Sequence, residues 1–244
     1  MYRIVRIALW FSVAGGAYLV AAWLPGTLGE LEYFQAKEFD VVGNQFIGEK
    51  EILKAASIPK YASVFDVTDS WELNLNRHPL ILSAKITRIL PKTLVVTVQE
   101  RVPIALVANT LLEPVDRDGQ ILPLDPGKYK LDLPLLRTDS GTAKLSRSQL
   151  RLLATEVQRL TVNDPFFMAA VSEVSMDDNG DATFVVESDM QLKFRPPLLN
   201  LRLQEGLMVH ADAIQRYPDR GPAIVDLRYA DQVVVSYKKR MESR

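Results

Sequence analysis

Cysteine is absent from this chain. No disulfide framework can hold it, and thiolate metal sites are excluded. A Cys-free chain also suits an oxidising exterior. Histidine is scarce: His78 and His210 are the two in 244 residues, too few for a multi-histidine metal centre. An excess of either charge is missing as well, with 29 basic against 30 acidic residues. A nucleic-acid binder needs a basic face to neutralise phosphates, so that class is set aside. No Gly-x-Ser-x-Gly, phosphate-binding loop or dinucleotide fingerprint occurs, nor any internal repeat or low-complexity stretch. No carboxylate pair stands out, so an enzyme is not supported, and an envelope hydrolase is the distant alternative.

What is present begins at once. From Ile7 to Leu24 no side chain is charged, and a bilayer core needs roughly 20 apolar residues in a helix. Arg3 and Arg6 precede the run, Pro25-Gly26 end it, and Glu30 and Glu32 follow. The basic flank predicts a cytoplasmic N-terminus, with everything after Pro25 on the far side of the membrane. Trp23, Leu24 and Pro25 spoil the Ala-Ala site that a cleaved signal peptide would use, so a retained anchor is expected. Residues 1–6 are then a short cytoplasmic end, 7–24 the transmembrane helix and 25–37 a linker.

The remainder is rich enough in Leu, Val and Ile to build real cores. Residues 38–102 read as a β-α-α-β-β unit. Strands are expected at 39–42, 82–88 and 93–99, with Leu82, Ala84 and Ile86 on one face and Leu94, Val96 and Val98 on another. Helices are expected at 49–56, and from a cap at Asp69 or Ser70 to Asn76. Residues 103–237 read as a β-rich domain with an antiparallel sheet and two helices, and 238–244 as a basic tail. The two helices run from the Ser146-x-x-Gln149 capping box to Leu160, and from Leu199 to Tyr217 with Leu199, Leu203, Leu207, Ala211 and Ile214 on one side. The fold class is α+β. Residues 125–127 and 132–134 read as loop. Two final strands, 223–229 and 232–237, have almost nothing between them.

Phe39-Asp40-Val41-Val42-Gly43-Asn44, followed by Glu51-Ile52-Leu53, is similar to the opening of a POTRA domain. The stretch Ser83 to Ala105 carries an Ala-x-x-x-Arg strand, a Pro-x-x-Leu turn and a Glu-Arg-x-Pro-x-Ala exit. With Asp116-Arg117-Asp118-Gly119-Gln120-Ile121-Leu122 after them, these runs resemble the FtsQ/DivIB family of bacterial division proteins. The resemblance implies a non-catalytic inner-membrane scaffold at the septum, with no cofactor and no small-molecule substrate. It also implies that an FtsB segment, arriving with FtsL, binds near Val225-Asp226-Leu227-Arg228-Tyr229. By position Arg228 and Tyr229 match well, Tyr237 stands where the family can have Trp, and Arg195 aligns loosely. Asp231-Gln232 replaces a familiar Ser-Gly. A POTRA protein of secretion or outer-membrane assembly is the nearer alternative.

The residues argue the same site independently. Gln232 to Tyr237 is apolar on both faces, and at a sheet edge it would offer unpaired backbone groups to an incoming strand. With Arg195, which the resemblance alone contributes, the candidate partner-binding residues are Arg195, Arg228, Tyr229, Val233, Val235 and Tyr237. The alternative is that Tyr229 and Tyr237 are core aromatics. Among charged motif residues, Arg88, Glu100 and Arg101 are expected on a solvated face or in cross-strand pairs. The acidic turn Asp177 to Asp181 lacks calcium-loop spacing and reads as a hairpin turn with solubilising charge.

Overall fold

The structure, a computed structural model, describes residues 10, 14–16, 18, 31–109, 111–141, 144–186, 190–218, 220 and 223–237. The cytoplasmic end, most of the 7–24 span and the 238–244 tail lie outside the described residues; Trp10, residues 14–16 and Tyr18 are helical. Among the described residues no helix is long and apolar enough to cross a membrane. The chain divides into two compact units, Met1–Arg101 and Val102–Arg244.

The first unit contains β1 (Glu38–Val42), α1 (Glu49–Ala56), α2 (Asp69–Asn76), β2 (Ile81–Ile89) and β3 (Thr93–Glu100). The sheet order is β1-β3-β2, with β1 parallel and β2 antiparallel to β3. Leu94, Val96 and Val98 of β3 are buried, as are Ile52 and Ala56 of α1 and Trp71 and Leu75 of α2. These are the apolar positions that the two periodicities single out. A bulge between Ile81 and Ser83 brings Ile81 into the core beside the expected Ile86 face.

Two expectations in this unit are corrected. The N-cap position of α2 is Thr68, whose side chain makes no capping bond, and Asp69 already lies in the first turn. Glu100 is neither solvated nor cross-strand paired. It is buried, and its carboxylate accepts the N–H groups of Phe46 at 2.6 Å and Ile47 at 3.0 Å. Asn44 braces the same loop by donating to the Ile47 carbonyl at 3.1 Å. Gly43 has φ +89°, and a Cβ there would sit 2.1 Å from the Val98 carbonyl oxygen, so glycine is required. Within the expected linker, 32–34 form a short 3-10 helix and Ala36 is buried against the unit.

The second unit contains β4 (Ala105–Ala108), β5 (Leu112–Val115), α3 (Pro126–Tyr129), β6 (Leu135–Thr138), α4 (Arg147–Asn163) and α5 (Pro165–Ala169). It continues with β7 (Val171–Met176), β8 (Ala182–Val186), β9 (Gln191–Phe194), α6 (Asn200–Arg216), β10 (Ala223–Asp226) and β11 (Val234–Tyr237). All eight strands join one sheet in the order β11-β10-β9-β8-β7-β6-β4-β5. The expected antiparallel sheet is in fact mixed: β4/β6, β6/β7 and β9/β10 are parallel. The reason is topological. Parallel neighbours need a long crossover, and α4–α5 and α6 supply two of them.

The short helices α3 and α5 were not legible as helices. Each starts with Pro at its first position, where the missing N–H costs nothing. Asp125 and Asp164 cap them by accepting backbone N–H groups. The capping box at Ser146 forms as expected, with Ser146 N–H donating to Gln149 Oε1 at 2.9 Å. Phe184, stacked on Phe194 at 4.7 Å and edge-on to Phe167 at 5.6 Å, lies in the core cluster with Leu150, Leu153, Val157 and Leu160 of α4.

The inner stripe of α6 also differs. Leu203, Gly206 and Ala213 are buried and Leu207 packs against the core, whereas Leu199, Ala211 and Ile214 are exposed. A Cβ on Gly206 would approach Leu227 Cδ2 to 3.0 Å, so the helix lies close on the chain just after β10. The last two strands are shorter than expected, and Arg202 of α6 holds the turn between them by donating to the Tyr229 and Gln232 carbonyls at 2.7 and 3.0 Å.

Candidate partner-binding edge

β11 is an end strand of the eight-stranded sheet, paired on one side with β10 from Ala223↔Tyr237 to Asp226↔Val234. Its side chains alternate. Val235 packs against the core cluster, and Val233 just before the strand does the same. Val234 and Ser236 are exposed. Tyr237 is half-buried; its hydroxyl donates to the Ala213 carbonyl at 3.4 Å and its ring meets Tyr217 edge-on at 6.2 Å. The Arg220 guanidinium lies over both rings, at 4.3 and 5.1 Å. Tyr229, 47% exposed, sits in the turn before the strand.

Arg195 and Arg228 converge on one carboxylate. Arg195 Nε donates to Asp181 Oδ1 at 2.9 Å, and Arg228 donates to Asp181 Oδ2 at 3.1 Å. Arg228 also grips Asp226 through Nε at 2.9 Å and a second guanidinium nitrogen at 2.6 Å. Asp181 is buried, whereas the Arg195 side chain is 68% exposed. The reading of Asp177 to Asp181 as mere solubilising charge is corrected here: Asp181 N–H bonds the Asp177 carboxylate, and its own side chain anchors both arginines. The pairing of Ala182 with Phe194 brings Asp181 beside Arg195. That register, with Arg202 and Asp226, is the part of the site that sequence reasoning missed. Asp226 at least lies two residues before Arg228, the same-face spacing of a strand.

The Arg195 hydrogen bond holds the Asp181 carboxyl below its ordinary range, against the opposing effect of burial, and Arg228 adds to it. Arg228 does the same for Asp226. A depressed carboxylate contributes stability that is complete above its unfolded value and lost as pH falls through the folded one. The terminal hairpin is therefore expected to loosen only in acid, below the usual carboxylate range. Asp181→Asn should make stability fall less steeply there, which acid titrations of urea unfolding would read.

A concavity of about 290 Å³ lies beside this network, with Leu198 and Leu227 among its apolar lining and Arg195, Arg202 and Arg228 among its polar lining. Among the described residues no His, Cys, Asp and Glu group could hold a metal ion. His78 accepts the Leu80 N–H at 3.3 Å, and burial lowers the pKa of His210.

The structure thus brings five of the six candidate residues to the terminal hairpin and its edge, with Arg195 joined to them through Asp181. Tyr229 is not a core aromatic, and Tyr237 is partly one. The first unit is a three-stranded sheet with two helices, entered and left at opposite ends. Residues 34–101 match the POTRA domain of FtsQ type. Over 195 residues the chain is 30% identical to the cell division protein FtsQ of Syntrophotalea carbinolica, covering 74% of this chain and 68% of that relative. It is 27% identical over 219 residues to FtsQ of Rhodothermus marinus, covering 84% and 78%. The chain belongs to the FtsQ family.

Proposed function

We propose that this chain is a non-catalytic scaffold of the division machinery, anchored in the inner membrane by residues 7–24. Its two units then lie outside the cytoplasm at the septum. In this reading the β11 edge takes up an extended segment of FtsB, which arrives with FtsL, and so links early to late division proteins. The observation that carries the proposal is that, among the described residues, β11 has a strand neighbour on one side only. Its outer backbone groups are the template for strand addition.

The surroundings favour an extended peptide with an acidic group. Tyr229 is exposed in the turn leading to the edge. Arg195, two-thirds exposed, can reach a carboxylate while keeping its bond to Asp181. Arg228, held by two carboxylates, serves first to shape the hairpin. Membership in the FtsQ family favours this reading over a secretion or outer-membrane assembly factor.

The test is capture of the FtsB–FtsL pair by the chain with and without residues 232–244. Capture is expected to disappear with the terminal strand while circular dichroism shows both forms folded. Equal capture by two folded forms would put the site elsewhere.

A further inference from the structure

At the end where the chain enters the first unit, a group of exposed apolar and aromatic side chains has no part in strand addition. Three sets of bonds gather the segments that carry it. The N–H groups of Lys37 and Glu38 both donate to the Lys92 carbonyl, at 3.0 and 3.3 Å, which sets the β2–β3 turn beside the entering chain. Ala36 donates to Ala62 at 2.8 Å and Val64 to Phe34 at 3.0 Å, joining 34–36 to 62–64. Arg88 donates to the Asp66 carbonyl at 2.9 Å, tying the following residue, Val67, to the same end of β2. On these segments Leu31, Tyr33, Tyr61, Val67, Ile89 and Leu90 are 51 to 73% exposed.

The charges among them suit an interface. Lys37 pairs with Glu32 at 3.1 Å and Lys92 with Glu38 at 2.7 Å, so those two acids are neutralised. Lys60 lies over the Tyr61 ring at 5.4 Å. Tyrosines, aliphatic side chains and long-stemmed cations are what the boundary between headgroups and acyl chains accepts. The lysine stems can lie along apolar surface while their ammonium groups stay in water.

Position supplies the occupant. The uncharged run ends at Leu24, and the six residues 25–30 separate it from Leu31. Six residues reach at most about 20 Å when fully extended. β1 and β3 both start at this end, and the chain leaves the unit at the other, past Glu100. An anchor in the bilayer therefore holds this end, and not the opposite one, next to the lipid.

We propose that this end of the first unit seats on the outer leaflet of the membrane that holds the anchor, with Tyr33, Tyr61, Ile89 and Leu90 at headgroup level. The inference rests on the reading of residues 7–24 as a membrane span. Seated so, the unit stands with its strands end-on to the bilayer, and α1 and α2 face along the membrane plane toward other anchored proteins.

Because the chain has no cysteine, single labels can be introduced without background. The full chain would be placed in nanodiscs of phosphatidylethanolamine and phosphatidylglycerol. An environment-sensitive fluorophore would be attached at Tyr61→Cys, at Leu90→Cys, at Val42→Cys on the far end of β1, or at Gly16→Cys within the span. Nitroxide lipids with the spin label at the headgroup are expected to cause loss of emission at positions 61 and 90 but not at 42. Nitroxide deep in the acyl chains should quench position 16. Quenching at 16 with none at 61 and 90 overturns the seating while leaving the anchor intact, and frees this face for a protein partner. Equal quenching at 42 also overturns it. Absence of quenching at 16 overturns the anchor reading itself, and the seating with it.

Discussion

Replacing Arg228 and Tyr229 together by alanine is expected to weaken capture of the FtsB–FtsL pair by at least about 2 kcal/mol, the size of an interface hot spot. That is roughly a thirtyfold rise in Kd. Tyr229 contributes exposed aromatic area at the mouth of the edge. Arg228 contributes by holding the hairpin, through Asp226 and Asp181, in the shape that presents β11. The fold should survive the double change. Asp181 keeps Arg195, Asp226 loses the guanidinium but keeps the backbone N–H of residue 228 at 3.1 Å, and Arg202 still holds the turn by the Tyr229 and Gln232 carbonyls. Titration calorimetry would measure the loss, with unfolding curves run beside it. Unchanged affinity in a folded double variant would remove these two residues from the site.

The second large effect is on stability. Glu100→Ala is expected to destabilise the first unit by about 3 kcal/mol. Its two backbone bonds to Phe46 and Ile47 are charge-assisted; the one to Ile47 is buried and the one to Phe46 partly so. Deleting a buried acceptor charges the full desolvation of the donors left behind, about 1–3 kcal/mol each. The 43–48 loop that leads into α1 would lose its brace. Glu100→Gln, which keeps one acceptor oxygen, should cost less. Urea unfolding of the variants checks both, and a loss no larger than that of an exposed acid such as Glu51→Ala would contradict the account.

Glu100 also shows what the sequence could and could not convey. Its place in a Glu-Arg-x-Pro run identifies a family, yet a carboxylate on a strand reads as surface charge until a loop 53 residues earlier folds over it. Local signals fared better. The first helix, the capping box at Ser146 and the inner face of β3 follow from spacing alone, because cap chemistry and side-chain period act within a few residues. Sheet order and direction are non-local, so the parallel pairs of the second unit were not visible. The stripe of α6 went astray because Gly206, not a large apolar residue, marks its closest approach to the core. At the site, Arg228, Tyr229 and the terminal apolar strand were legible as residue types. Asp181 was not, since its role depends on the pairing of β8 with β9.

The central claim is that a partner strand adds to β11, and hydrogen exchange of the backbone amides tests it most directly. On adding the FtsB–FtsL pair to the full chain, amides within 234–237 should become protected. Those of β5, at the opposite end of the same sheet, should exchange as before. Protection confined to β5 or to the first unit, with β11 unchanged in a bound complex, would contradict the account.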